Sequence, residues 1–316
     1  MTAETDHLLK HFQIRKSATQ KAAFRDWLTG VLTAAGYEPR VESGGSLVKS
    51  SNVVVGDPEK ASVVYTAHYD TCAVLPFPNF ITPRNFFLYL LYQLLLYIPM
   101  FALAIGAEIL LLILWEDCPI GLAMIVVYAV LGFCIWWVMD GPANRHTAND
   151  NTSGVATLLE IALSLPLEGR GKVAFIFFDN EEKGLLGSSQ FKKAHGKRMV
   201  DTLLINFDCV SDGDSIQFYP NKKLKQQEET LDLLEQSFLS DGFKSVEVVR
   251  GFGFYPSDQK AFPRGIGVAA LHKSWFGYWL GRIHTNRDTV FQAENIELLR
   301  RGALALAARA NDPLHT

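Results

Sequence analysis

Apolar positions along this chain fall into three patterns, and each predicts a different kind of element. The first is helical. Within residues 8–35, Leu8, Leu9, Phe12, Phe24, Trp27 and Leu28 recur near helical spacing, which predicts an amphipathic helix or a pair of helices with Gly36 as the stop. LDLLEQSFLSDGF (231–243) and ENIELLRRGALALAARA (294–310) read as helices too, and DNTSGVATLLEIALSL (150–165) sets polar starters before an apolar run. The second pattern is the short continuous run: SNVVVG (51–56), SVVYTAHYD (62–70), KVAFIFFD (172–179), TLLINFD (202–208) and GVAALHK (267–273). Runs of this length without polar alternation suit strands covered on both faces, as in the central sheet of an α/β fold.

The third pattern is a pair of far longer apolar runs. Residues 119–139 carry no charge over 21 positions, about the length that spans a bilayer. Residues 86–115 are nearly as apolar but include Gln93, Pro99 and Glu108, and Pro99 predicts a kink. The connection Glu116-Asp117-Cys118 is short, so the two runs predict a helical hairpin with both ends on one side. The chain thus divides into residues 1–84 and 140–316, one α/β domain, and 85–139, an inserted hydrophobic hairpin that spans a membrane. Arg84 and Arg145 flank the domain side and the far loop is acidic, which places the domain on the cytoplasmic face. The start, MTAETDHLLKHF, lacks the apolar core of a cleaved signal peptide. A soluble lid, or a homo-oligomer contact through the hairpin, is the competing reading.

Composition narrows the partners. With 20% charged and 48% hydrophobic residues the chain can build a core. Its net charge of −3 and lack of a Lys/Arg cluster exclude a nucleic-acid footprint. Cys72, Cys118, Cys134 and Cys209 form no CxxC pair and read as free, buried thiols.

Five residues in chain order have the donor types that a pair of zinc ions takes: His68, Asp150, Glu182, Asp208 and His284. His68, Glu182 and Asp208 fall at or just beyond predicted strand ends, where open α/β sheets build their sites. Two close cations need a shared carboxylate, and Asp150 is the candidate bridge. His68 and Asp208 then complete one ion, and Glu182 and His284 the other. Asp70, two residues after His68, is placed to accept the second imidazole N–H. Glu181 cannot point the same way as Glu182 and is the candidate general base and acid. Gly184 and Gly187 suit tight turns beside it. Tyr255 and Asp258 are candidates to line the site, Tyr255 as a donor to a developing oxyanion. His272 is a candidate neighbour of the metal ligands and His146 a weaker one, while His7, His11, His195 and His315 read as surface residues.

The segments HYD, NDNTSGVA, FDNEEKGLLGS, NFD and HTNRDT resemble, in order, those of the M28 family of zinc peptidases, over residues 8–84 and 140–316. The resemblance implies a three-layer αβα fold with a mixed, mostly parallel central sheet and two Zn2+ ions on the five ligands, Asp150 bridging. It also implies Glu181 as base, Asp70 supporting its histidine, and a peptide or small amide as substrate. Aminopeptidase activity is the leading expectation. Glutaminyl cyclase-like acyl transfer and a non-catalytic membrane receptor on the same fold are the alternatives. The chain departs from the family's usual pattern at Gln259 in SDQKAF and Asn286 in HTNRDT, and the hairpin has no counterpart in it.

Overall fold

The computed structural model describes residues 1–45 and 48–309, so the expected surface residue His315 lies outside it. The N-terminal periodic stretch forms two helices, α1 (Ala3–His11) and α2 (Ala18–Ala34). The break has a local cause: Ser17 and Gln20 exchange side-chain and backbone hydrogen bonds in a capping box that starts α2 afresh. Gly36 follows with φ of 83°, as a left-handed stop. Then come β1 (Arg40–Gly44), β2 (Ser50–Val55) and β3 (Val63–His68), and the hairpin helices α3 (Phe86–Leu114) and α4 (Ile120–Asp140). The rest runs α5 (Gly154–Ser164), β4 (Val173–Phe178), α6 (Leu186–His195), β5 (Leu203–Phe207), β6 (Ser215–Pro220), α7 (Glu228–Ser237), β7 (Ser245–Val248), β8 (Gly265–Ser274), β9 (Gly277–Trp279) and α8 (Ala293–Arg309).

The strands form one mixed sheet in the order β1-β2-β4-β3-β5-β8-β6-β7, with β9 on β8. Its centre, β4-β3-β5-β8, is parallel. Alternate residues of each central strand enter opposite layers. Val63, Tyr65, Ala67, Phe175 and Phe177 pack into a core with α1, α2, α5, α7 and α8. Val64, Ala174, Ile176 and Phe178 pack on the other face with Phe191 of α6 and Phe262. Helices on both faces make a three-layer αβα architecture and explain why these strands read as unbroken apolar runs.

α3 continues through Pro99 without ending, and Ala104 and Ala123 are the buried small residues of the hairpin. Both helices are long and apolar enough to cross a membrane, and nearly all of their side chains are left uncovered by the rest of the protein. Their root is fastened to the α/β domain. Lys16 Nζ donates to the Met139 carbonyl at 2.6 Å, Lys183 pairs with Asp140 at 2.6 Å, and Arg84 pairs with Glu247. Phe86 and Tyr89 pack on Phe254.

Candidate metal centre

The register of the sheet assembles the site. His68 is level with Phe178, and Thr66 with Asn206, so β3, β4 and β5 end flush. His68 closes β3, Asp208 follows β5 directly, and the turn after β4 carries Glu181 and Glu182 to the same rim. Asp150 sits in an irregular turn, Ala148–Ser153, just before α5, and His284 in the loop between β9 and α8. Four non-glycine residues in these loops have positive φ: Asn180, Leu185, Cys209 and His284. Backbone strain gathers at this rim, as it does at functional sites.

Side chains from all five loops converge. His68 Nε2 lies 3.4 Å from Asp150 Oδ1 and 3.6 Å from Asp208 Oδ1. His284 Nε2 lies 3.1 Å from Asp150 Oδ2 and 3.4 Å from Glu182 Oε2. The two oxygens of Asp150 therefore face two different imidazoles, each with a second carboxylate beside it. A cavity of about 140 Å3 opens over them, lined also by Asn79, Ile81, Glu181, Cys209, Tyr255, Pro256 and Ile283.

The electrostatics are those of crowded donors. Burial and the opposing pull of Glu182 and Asp150 leave His284 raised to about 9. Burial pushes Glu182 up to about 8. Asp150, although burial opposes its ionisation, is held below the usual carboxylate range by His284 and His68. Burial holds the Glu181 carboxyl well above its ordinary value, and the nearby Glu182 adds to it.

The donor set tests well against metal. Ligand atoms of His68, Asp150 and Asp208 lie within 4.8 Å of one another, and so do those of Cys72, Glu182 and His284. Glu182 Oε1 is buried without a hydrogen-bond partner, and buried carboxylate oxygens are seldom left so. Imidazole and carboxylate oxygens are the donors that zinc accepts.

Asp70 departs from its expected contact. The nearest acceptor to His68 Nδ1 is the Asp70 carbonyl at 3.1 Å, with the carboxylate at 3.6 Å. β3 has already ended at His68, so strand alternation no longer directs the Asp70 side chain. Its carboxylate instead accepts the backbone N–H groups of Glu181 at 2.9 Å and Glu182 at 3.2 Å. Asp70 is thus a positioning residue for both glutamates. Tyr255 lines the cavity, but its hydroxyl donates to the Asp208 carbonyl at 3.0 Å, so its proton is committed to the backbone. Asp258 is fully buried and outside the cavity lining, with burial raising it to about 7. His146 is exposed, and His272 faces Asp212 at 3.1 Å. His195 is not a free surface residue, since it lies between Glu42 and Glu59.

Sequence reasoning missed the supporting shell. Asp288 accepts the N–H groups of Asn149 and Asp150 at 2.8 and 3.0 Å. Asn151 Nδ2 donates to Phe207 O, and its Oδ1 accepts from Gly154 and Cys209, stitching the Asp150 turn to the end of β5. Arg15, fully buried, donates to the Tyr69 carbonyl and to Thr152 Oγ1 behind the carboxylates. Burial pulls its guanidinium down to about 10, with Asp70 and Asp150 opposing. Cys72, a free and buried thiol as expected, stands beside Glu182 and His284. All four cysteines are free, but Cys118 and Cys134 are only partly buried. The polar residues of NDNTSG and the Asp of HTNRDT were signals available in the sequence.

Three solved structures illustrate the fold. A Zn-dependent exopeptidase from Parabacteroides distasonis is 17% identical with a TM-score of 0.61, covering 98% of this chain and 96% of its own. A glutaminyl cyclase from Tannerella forsythia is 17% identical with a TM-score of 0.59, covering 98% and 97%. The LapA aminopeptidase of Legionella pneumophila is 15% identical with a TM-score of 0.57, covering 96% of this chain and 67% of its own. No curated protein sequence matches significantly. At these identities the structures establish a shared fold. The family model described as Peptidase family M28 matches residues 136–308, more than half of the sequence and inclusive of four of the five converging side chains, and the chain belongs to that family.

Proposed function

We propose that this chain hydrolyses amide bonds with two zinc ions, as an aminopeptidase that removes N-terminal residues from peptides or as a hydrolase of small amides. His68 and Asp208 would hold one ion, Glu182 and His284 the other, and Asp150 both. The observation that carries this reading is the division of the Asp150 carboxylate, Oδ1 towards His68 and Oδ2 towards His284. When bound, such ions supply Lewis-acid polarisation of the scissile carbonyl and of the attacking water.

The chain's own residues supply the rest. Asp70 anchors the backbone of both glutamates, so that Glu182 faces His284 while Glu181 lines the cavity. Glu181, which lines the cavity, takes a proton from water and returns it to the leaving amine. Ile81, Pro256 and Ile283 give the cavity apolar walls that limit water around the reacting bond. α3 and α4 are read as a membrane anchor for residues 1–84 and 140–316. Arg84 and Arg145 flank the root, and Lys16 and Lys183 are bonded to it, and this basic flank supports a cytoplasmic side for residues 1–84 and 140–316.

The test is a panel of peptides and aminoacyl amides on detergent-purified protein, with Glu181→Gln beside wild type. Loss of about 10²- to 10⁴-fold in kcat with zinc content unchanged is expected. Retained turnover in the variant would remove Glu181 from the mechanism. One zinc per chain, with cyclisation of N-terminal glutamine in place of hydrolysis, would favour the cyclase-like alternative.

A further inference from the structure

The root of the hairpin encloses a second space, a groove of about 250 Å3. Met100 and Leu103 of α3 and Phe133 and Trp137 of α4 form its helical walls, and Leu75 and Phe77 close it from the catalytic domain. No charged residue lines it. The loop that closes it runs on into the catalytic cavity, where Asn79 and Ile81 are wall residues. Phe77 and Asn79 are two positions apart, at most about 7 Å of chain. This loop is tied to the loop that carries His284, because the Leu75 N–H donates to the His284 carbonyl at 2.7 Å and the Asn79 N–H to the Ile283 carbonyl at 3.2 Å. α3 holds it from the other side. The Tyr92 hydroxyl donates to the Pro78 carbonyl at 2.7 Å, and the Gln93 amide reaches Asn79 Oδ1 at 3.4 Å. Gln93, the amide that interrupts the first apolar run, is therefore directed at the strip of chain between groove and cavity.

A molecule that occupies both spaces must be polar and amide-bearing at one end, and long and apolar at the other. We propose that the groove takes the alkyl chain of a single-chain lipid amide whose scissile bond lies in the catalytic cavity. The proposal rests on the hydrolase reading above and names its substrate class. In the step, the water oxygen bonds to the carbonyl carbon and the C–N bond breaks. Both water protons end on the departing nitrogen, the first carried by Glu181, leaving a carboxylate and an alkylammonium. The contact between chain and groove lies away from the reacting atoms, so its free energy is available to hold the amide in place.

Two measurements on the full chain in lipid nanodiscs test it. The first is kcat/KM for leucyl amides from ethyl to octyl. Wild type should gain up to about fourfold per added methylene. Leu103→Trp, which fills the groove, should lose that gradient, and Ile113→Trp, near the far end of α3, should keep it. A flat wild-type series, or a gradient that survives Leu103→Trp, overturns the proposal. The second is photolabelling of Glu181→Gln with a leucyl alkylamide carrying a diazirine at the chain end. Label should fall within residues 96–103 and 133–138 and be displaced by leucyl octylamide. Label on the outward faces of the hairpin, or undisplaced label, would show ordinary lipid in the groove and overturn it. Displaced label without hydrolysis of any amide would instead uphold the groove assignment and overturn the hydrolase reading.

Discussion

Asp288 shows how a single residue governs the centre without touching a ligand atom. Its two oxygens accept the backbone N–H groups of Asn149 and Asp150, which fixes where the Asp150 carboxylate points. In Asp288→Asn one of those N–H groups would meet an amide NH2. Zinc affinity should fall about 10- to 100-fold, read by competition with a chelator, and an undiminished affinity would show that the turn holds itself. The titrating ligands make a second prediction. His284 stands at about 9 against an ordinary 6.5, and Glu182 at about 8 against 4.5. Both bind their protons more tightly in the folded protein than in the unfolded one. Their contribution is therefore complete below the ordinary values and is lost as pH rises through the folded ones. Metal-stripped protein should lose thermal stability most steeply where the two windows overlap, between about pH 6.5 and 8. The rise in Tm on adding zinc should grow over the same interval, because the ligands bind metal deprotonated. A Tm of the stripped protein that is flat across that interval would count against this cluster. The converging side chains were legible in the sequence because His68, Glu182 and Asp208 follow strand ends and Asp150 precedes a helix, while His284 stood out only through its HTNRDT segment. Asp288, Asn151 and Arg15 were not, since nothing in a loop sequence tells which backbone groups a side chain will reach.

Among the elements, the turn between β4 and α6 is the most constrained. Gly184 has φ of 86°, and a Cβ on Gly187 would lie 2.0 Å from the Asp179 carbonyl oxygen. Gly187→Ala must push α6 away from the end of β4 and carry the Glu181–Glu182 turn with it. A destabilisation of about 1–3 kcal/mol is expected, with kcat lowered as well, and unchanged melting and turnover would show that the turn can yield. The pattern of apolar positions located β2, β3, β4, β5 and β8, each covered on both faces. It passed over β1, β7 and β9, which are exposed or half-buried except at Val248. β6 was hidden for a different reason. It is wholly buried yet carries Gln217, whose side-chain oxygen accepts from the Tyr219 hydroxyl. A buried polar residue that is satisfied locally looks, in sequence, like a loop.

Across the whole molecule, the hairpin and the catalytic domain are joined at several points, and the long apolar runs announced the hairpin but not these ties. α3 begins directly at Asn85, whose side chain caps it, and α4 ends at Asp140, paired with the residue next to Glu182. Replacing residues 86–139 with a short polar turn should release the protein from membranes without detergent. Turnover of a water-soluble aminoacyl amide should fall, since the loop through Pro78 and Asn79 loses Tyr92 and Gln93. An excised protein that still sediments with membranes, or one with unchanged turnover, would count against that reading. If α3 and α4 span a bilayer as proposed, no slack chain separates them from the cavity, and its height and tilt above the lipid would be set by the two helices themselves. An enzyme so moored would search in two dimensions and choose its targets partly by altitude, sparing identical bonds that pass further from the lipid surface.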